Sequence, residues 1–591
     1  MKVASLLSLT RNHHSIALTL LTLITFLLQL TYVVTHGELS TLIYPDESTY
    51  YLPAAKQILE SGLSYFLTPR SLWNGPINPL WIALWGANVS VIKIANIVLI
   101  SLCSPLAWIS AKKLFGVRAG YIAFLLLSLY PPFYVFSGTI LTEPLYTFLT
   151  FLSITIFILN DAQTRALDIS SGIVSALAAL TRPTTQIFPI LLVLAAFLFS
   201  SLFRNRATLK KGRLVCYLLG FLLLVLPFVL KNSLYLGKHG IANGSGAVLY
   251  LGNDLRKNGD EPVYSGMDFD TYAITKPYAH LDTEGDKLLT AKAVSMIREN
   301  PYDTALLTGR KILKVLFGYP HYYFYPRVDL ISFAKIESWQ RISFVTFEAF
   351  LRIFVTIFGI VALFTLRVDN TLRFLAAGFL SYMVLIHAIT FPLPRLLIPN
   401  YPVLALFAAG WWSTPQTKRA QCSILGLSLA VLLFVCFVGR SWKPGVVSER
   451  ALQWFDTVVD LSKAEIIRHD LTSSEGSSQL CTDGGRPFVE YSIPQTALQP
   501  NLVLLIKLTT TTKTPPKKSG IATLSWREGD SPFDPSRASS FELIPDGEPH
   551  LYQVTPATNP TWKGTVSSFR LDLPKRWKHA CYELREATLA K

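Results

Sequence analysis

The stretch SIALTLLTLITFLLQLTYVV, Ser15 to Val34, carries no charged side chain and matches the ~20 residues a helix needs to cross a hydrocarbon core. Its start is basic, with Lys2 and Arg11, as a cleaved signal peptide would have. Its length argues against that reading, because signal apolar regions run to about 7–15 residues, and no small-residue cleavage site follows. The run is therefore read as a membrane anchor. Just beyond it, Leu42-Ile43-Tyr44-Pro45-Asp46-Glu47-Ser48 places two adjacent carboxylates at the face opposite the N-terminus.

The rest of the chain repeats the pattern. Of 591 residues, 51% are hydrophobic and 16% charged, a composition whose solvent is largely lipid. Further apolar stretches lie near 78–110, 119–136, 144–159, 169–184, 185–203, 214–230, 344–366, 372–391, 397–413 and 421–439, which gives about eleven transmembrane helices with the first. Pro183 in Thr181-Arg182-Pro183 breaks what would otherwise be one long segment. The stretch near 78 opens with a re-entrant-looking piece, Gly75-Pro76-Ile77-Asn78-Pro79-Leu80.

Basic residues orient these spans. Lys112, Lys113 and Arg118, then Arg204 to Arg213, then Arg367 and Arg373, then Lys418 and Arg419 alternate along the spans and fall on one side, read as cytoplasmic together with the N-terminus. They account for much of the net charge of +16, so nucleic acid is not indicated. The opposite face receives outer loops 36–77 and 231–343, the turn Ser137 to Glu143, and everything after Gly439. The expected division is a membrane domain over 1–440 and an extracytoplasmic domain over 441–591.

That tail changes character. Leu502–Leu508, Ile521–Trp526, Phe541–Ile544, His550–Val554, Ser567–Leu573 and Cys581–Arg585 read as short strands between Gly, Pro and Asp turns, a spacing that suggests a β-sandwich. The segments Asp546 to Tyr552 and Thr561 to Leu573 look like carbohydrate-binding-module sandwiches. Trp562 is read as core packing before sugar stacking. Cys481 and Cys581 can bridge in an oxidising compartment, or stay as thiols in a reducing one.

Several charged residues cluster at span ends on the outer side. Glu143, in Leu141-Thr142-Glu143-Pro144, stands at the mouth of a span, where an ionisable group is by default a functional candidate. Lys231 and Arg395 sit at outer ends, with Arg182 facing the same way, against the inside bias for cations. They suggest an anionic partner such as a lipid phosphate. Each has a plainer reading: a helix-starting Thr-Glu-Pro cap for Glu143, snorkelling to head groups for the cations. The glycine-rich loop Asn232 to Asn253 has no P-loop pattern and follows no strand.

These pieces in this order resemble the membrane-embedded C-type (GT-C) glycosyltransferases, in the branch of protein O-mannosyltransferases and lipid A aminoarabinose transferases. The resemblance covers about residues 15–415. Its motifs are Tyr44-Pro45-Asp46-Glu47, Asn78-Pro79-Leu80, Lys113-Leu114-Phe115-Gly116, Leu141-Thr142-Glu143-Pro144, Leu180-Thr181-Arg182-Pro183, Leu226-Pro227 with Lys231-Asn232, Leu249 to Asn253, and Pro394 to Pro399. Lys231 stands where the family commonly has arginine, and Pro394-Arg395-Leu396 replaces a typical Arg-Tyr-Arg.

The resemblance implies a polytopic α-helical, GT-C-like protein of the plasma (inner) membrane, its C-terminal sandwich periplasmic if the source is bacterial. It also implies a sugar donor linked to polyprenyl phosphate and a protein, lipid or glycan acceptor. Inverting transfer needs a carboxylate to take the acceptor proton, a role read for Asp46. Glu47 and Glu143 would orient hydroxyls or raise the basicity of Asp46. Lys231, Arg395 and Arg182 would stabilise the departing phosphate. A divalent metal between the carboxylates is compatible with this arrangement, though no His-rich ligand set supports it. The competing reading is a transporter or flippase for lipid-linked sugars, which would favour a midplane site and inverted repeats. No repeat is visible.

Overall fold

The computed structural model describes residues 2–36, 39–42, 44, 46–202, 209–253, 274–317, 338–390, 392 and 394–414, and in the C-terminal region 446–447, 457–461, 464–473, 479–482, 487–497, 503–512, 520–529, 531–534, 537–543, 549–554, 564–574 and 580–590. The chain divides into two compact units. One comprises Met1–Ser245, Leu281–Asp286 and Gly309–Val438, the other Gly246–His280, Lys287–Thr308 and Gly439–Lys591.

The helices are α1 (Lys2–His36), α2 (Leu52–Ser61), α3 (Ile77–Leu84), α4 (Val89–Phe115), α5 (Val117–Ser128), α6 (Pro131–Ser137), α7 (Glu143–Leu159), α8 (Arg165–Thr181), α9 (Phe188–Leu202), α10 (Lys211–Leu236), α11 (Ser245–Asn253), α12 (Thr283–Glu299), α13 (Pro301–Phe317), α14 (Ser338–Thr365), α15 (Asn370–Ile389) and α16 (Asn400–Ser413). Local chemistry sets their ends. Asn88 caps α4 by accepting from the Val91 amide at 3.2 Å, and Gly116 at φ 96° closes it after Lys112 and Lys113. Proline near the first turn opens α6 and α7.

Among the described residues, five helices are long and apolar enough to cross a membrane, at His14–Thr35, Val89–Phe115, Lys211–Leu236, Phe347–Thr365 and Asn370–Ile389. A sixth span results if α5 and α6, bent by 53° at their junction, act together, and Glu143–Leu159 and Pro183–Leu198 are shorter apolar helices. The chain is a multi-pass membrane protein, but eleven spans are not reached among these residues. Prolines cut several apolar runs into short helices. The stretch at 78–110 divides at Gly86 and Ala87, both at positive φ, into the short α3 and the full-length α4. The expected span at 421–439 lies outside the described residues, as does Trp562.

The C-terminal region is β-rich. Its strands are β1 (Val446–Val447), β2 (Thr457–Asp460), β3 (Glu465–His469), β4 (Leu471–Ser473), β5 (Gln479–Thr482), β6 (Phe488–Ala497), β7 (Val503–Thr512), β8 (Gly520–Arg527), β9 (Ala538–Leu543), β10 (Pro549–Val554), β11 (Thr565–Asp572) and β12 (Ala580–Ala590). A seven-stranded sheet runs β1-β10-β7-β12-β5-β4 with β2 also on β12, and a five-stranded sheet runs β3-β6-β11-β8-β9. Alternation along the strands turns Leu504, Ile506, Tyr552 and Leu589 of the first sheet and Val489, Tyr491, Leu524 and Phe569 of the second into one buried cluster. Cys481 and Cys581, directly paired across β5 and β12, form a disulfide.

Candidate active site

Asp46, half-buried, is followed by a π-helical turn at Glu47–Tyr51, a rare conformation that recurs at functional sites. Glu47 is fully buried. One of its oxygens accepts from the Tyr44 amide and the other from the Ile140 amide, both at 2.8 Å. The Tyr44 ring stacks on Phe136, with centroids 6.1 Å apart. The Asp46 loop is thereby joined to the turn that leads into Glu143.

Glu143 starts α7 and is 3% exposed. Its partner is supplied by a proline effect. Pro183 disfavours helical geometry in the residue before it, so α8 stops at Thr181 and Arg182 turns extended, at φ −139° and ψ 112°. The Arg182 guanidinium then donates to Glu143 Oε1 at 3.0 Å and to Thr142 Oγ1 at 3.3 Å. Gly75 admits this arrangement, because a Cβ there would lie 2.5 Å from the Leu180 carbonyl oxygen and 2.6 Å from that of Thr181.

Arg395, on a short 3-10 turn at Pro394–Leu397, brings its Nε to 4.0 Å from the same Glu143 oxygen, and its guanidinium lies 5.7 Å from the centre of the Tyr44 ring. Tyr51 registers the whole group electrostatically. Burial raises the pKa of its hydroxyl, Asp46 and Glu143 raise it further, and Arg182 and Arg395 pull it down. Asp46, Glu143, Arg182 and Arg395 are thus the charges that act on the Tyr51 hydroxyl. Among the described residues, no group of three His, Cys, Asp or Glu side chains is placed to hold a metal ion.

Lys231 stands apart from that group. Its ammonium donates to the Phe66 carbonyl at 2.6 Å and lies 4.2 Å from the Phe228 ring centre. The side chain covers the end of the 62–67 turn.

Sequence reasoning passed over three residues: Tyr51, Lys93 and Asn96. Lys93 and Asn96 are buried on α4; Lys93 donates to the Thr41 carbonyl at 2.6 Å and Asn96 to the Thr139 carbonyl at 2.8 Å. The signal was present in the sequence, since two polar residues three apart in an apolar run call for partners.

A cavity of 390 Å³ opens between α13, α14, α15 and α16, lined among others by Leu316, Arg352, Phe364, Leu385, Leu397 and Tyr401. Its walls are apolar apart from a few groups such as Arg352, which is ion-paired with Glu348 at 2.9 Å.

Carboxylates and guanidiniums gathered at helix ends describe a membrane protein with a buried cluster of opposite charges. Residues 77–230 match the family described as dolichyl-phosphate-mannose-protein mannosyltransferase. This bears out the resemblance to C-type glycosyltransferases of the protein O-mannosyltransferase branch. No curated protein matches the chain. Among solved structures, ArnT from Cupriavidus metallidurans in the apo state is 15% identical, covering 68% of this chain and 78% of that one, with a TM-score of 0.30. The same protein bound to undecaprenyl phosphate is 13% identical over 67% and 78%, with a TM-score of 0.31. The oligosaccharyltransferase AglB from Archaeoglobus fulgidus, in complex with an inhibitory peptide and a dolichol-phosphate, is 14% identical over 71% and 55%, with a TM-score of 0.37.

Proposed function

We propose that this chain is an inverting glycosyltransferase that moves a sugar from a polyprenyl-phosphate donor to a protein, lipid or glycan acceptor at the outer face of the membrane. The observation that carries the reading is the grouping of Arg182 and Arg395 about the buried Glu143 carboxylate, with the turn that carries Asp46 tied through Glu47 to the turn before Glu143. The donor class is supported by the family matched over residues 77–230, whose description names a dolichyl-phosphate sugar.

In this reading, the acceptor hydroxyl attacks the anomeric carbon and gives its proton to Asp46. The bond from that carbon to the phosphate oxygen breaks, and the phosphate leaves with its charge already formed. Arg182 and Arg395 stabilise that charge. Glu143 keeps the two guanidiniums in place and offers an acceptor for a sugar hydroxyl. Lys231 receives the phosphate as it departs, if its contact with the Phe66 carbonyl opens. The cavity lined by Leu397, two residues from Arg395, suits the apolar tail of the donor.

The N-terminus is cytoplasmic and the C-terminal region, 441–591, is an extracytoplasmic β-sandwich that positions the acceptor. The Cys481–Cys581 bridge supports an oxidising compartment for it. Transfer of radiolabelled sugar from polyprenyl-phosphate donors, in membranes containing the native chain or Asp46→Asn at equal expression, tests the class and the base. Transfer by the native chain and loss of about 10²–10⁴-fold in the variant is the expected result. Equal transfer by both removes Asp46 as base, and none by either favours the transporter.

A further inference from the structure

We infer that Glu47, Asn96 and Lys93 form a positioning set, and that Glu47 serves the reaction by holding Asp46 in place rather than by touching substrate. This rests on the reading of Asp46 as the base. Glu47 lies next to the proposed base, yet its carboxylate is sealed from solvent and both oxygens accept backbone amides. Reaching an acceptor hydroxyl would strip those buried amides of their partner, at a cost of about 1–3 kcal/mol for each.

The two ties differ in reach. The bond to the Tyr44 amide is returned by the Glu47 amide, which donates to the Tyr44 carbonyl at 3.0 Å, so the loop is closed reciprocally in the manner of a capping box. The bond to Ile140 crosses 93 residues of sequence to the turn three residues before Glu143. One carboxylate therefore fixes the turn carrying Asp46 to the turn carrying Glu143.

Helix α4 also binds both turns. Lys93 and Asn96, three residues apart, share a face. Lys93 grips the first turn through the Thr41 carbonyl, and Asn96 grips the second through the Thr139 carbonyl, the residue before Ile140. Asn96 is itself oriented by the Trp81 indole, which donates to its Oδ1 at 2.9 Å. With the Glu47 tie, each turn is thus held at two points. Such a frame is valuable where a displacement of about 1 Å costs about 10²-fold in rate.

The test measures sugar transfer from a polyprenyl-phosphate donor by the full-length chain in membranes, with donor concentration and pH varied. Glu47→Gln keeps shape but faces one backbone N–H with an NH₂ group, so one tie is lost. Asn96→Ala leaves every carboxylate intact and releases the second turn. Each variant should lower kcat about 10- to 100-fold, with donor KM changed by less than about twofold, because Arg182 and Arg395 remain. The acid limb of the kcat–pH profile should move, since Asp46 changes surroundings. The double variant should fall little below the worse single one, the two acting on one frame.

A folded variant of either kind with native kcat, or one that raises donor KM alone, overturns the inference while Asp46→Asn still defines the base. Failure of both variants to fold would assign these residues to stability and overturn it too. A native chain without transfer sinks the glycosyltransferase reading itself.

Discussion

The two ends of α8 each carry a carboxylate–guanidinium pair, and the pairs are built differently. At the first turn, Asp168 accepts three bonds from Arg213, at 2.9, 3.1 and 3.2 Å, and a fourth from Asn160 at 2.9 Å. Arg213 also donates to the Phe157 carbonyl at 2.8 Å and lies 3.9 Å from the Phe157 ring centre. At the other end, Glu143 takes one guanidinium bond from Arg182 at 3.0 Å while Arg395 approaches only to 4.0 Å. The first is a bidentate clamp that ties α8 to α10 and the end of α7. The second holds two cations around one carboxylate at looser distances, an arrangement that can make room for another anion. The two pairs are alike in charge and differ in the number and length of their bonds, which is the contrast that the proposed role of the second one predicts.

Removing one partner of the closed clamp should have the largest effect. Asp168→Ala leaves Arg213 buried without its counter-charge and should cost about 3–5 kcal/mol of stability, with activity per folded molecule unchanged, as read by thermal unfolding in detergent beside the transfer assay. Should Asp168→Ala instead abolish activity at native stability, the contrast between the ends would collapse. Arg395→Lys should do the reverse. It keeps the charge but loses the planar fork, so transfer should fall about 10- to 100-fold while the melting temperature barely moves; a large loss of stability would make Arg395 a second structural clamp.

Gly75→Ala sharpens the comparison from the backbone side. The added methyl meets two carbonyl oxygens at the end of α8, and overpacking of this kind costs about 1–3 kcal/mol. Because Arg182 follows that end directly, activity should drop further than stability does. Unchanged kinetics in a destabilised variant would separate Gly75 from the site.

The smallest effect is expected at Asp369, which caps α15 outside its span and bonds Lys210 at 2.8 Å. Burial pushes this carboxyl upward, but the Lys210 ammonium and the amides of Leu372 and Thr371 outweigh it and hold it below its ordinary value. Its contribution is present above the unfolded-state value and is lost as pH falls through the lowered folded value. Asp369→Asn should therefore change stability near neutral pH by less than about 1 kcal/mol, since the pair is part-exposed, and the difference should vanish in acid. A pH-independent difference would mean that the cap, and not the charge, is what Asp369 supplies.

Much of the membrane architecture is legible locally. Long apolar runs give α1, α10 and α15, and Pro183 marks the break that ends α8. The division of 78–110 was missed because apolar composition alone does not show that Gly86 and Ala87 adopt positive φ. Six tail strands read as short apolar runs between turn residues appear in the sheets as β7 to β12, whereas β1 to β6 escaped: β1, β2, β4 and β5 are only two to four residues long, β3 buries little, and polar residues in β6 mask its buried ones. At the candidate site, residue type drew attention to Asp46, Glu47, Glu143, Arg182, Arg395 and Lys231 alike. It could not separate Glu47, whose oxygens are taken by backbone amides, from Asp46 beside it, nor set Lys231 apart from the two arginines.

The sequence by itself determined which segments seek lipid, where prolines and glycines interrupt them, and which ionisable groups lie at their ends, because these depend on transfer energies and backbone sterics within a few residues. Only the tertiary structure decided which charges meet. A bond such as Glu47 to Ile140 joins residues 93 apart, and its existence depends on how α4, the first loop and the 138–142 turn pack together, which no local pattern encodes.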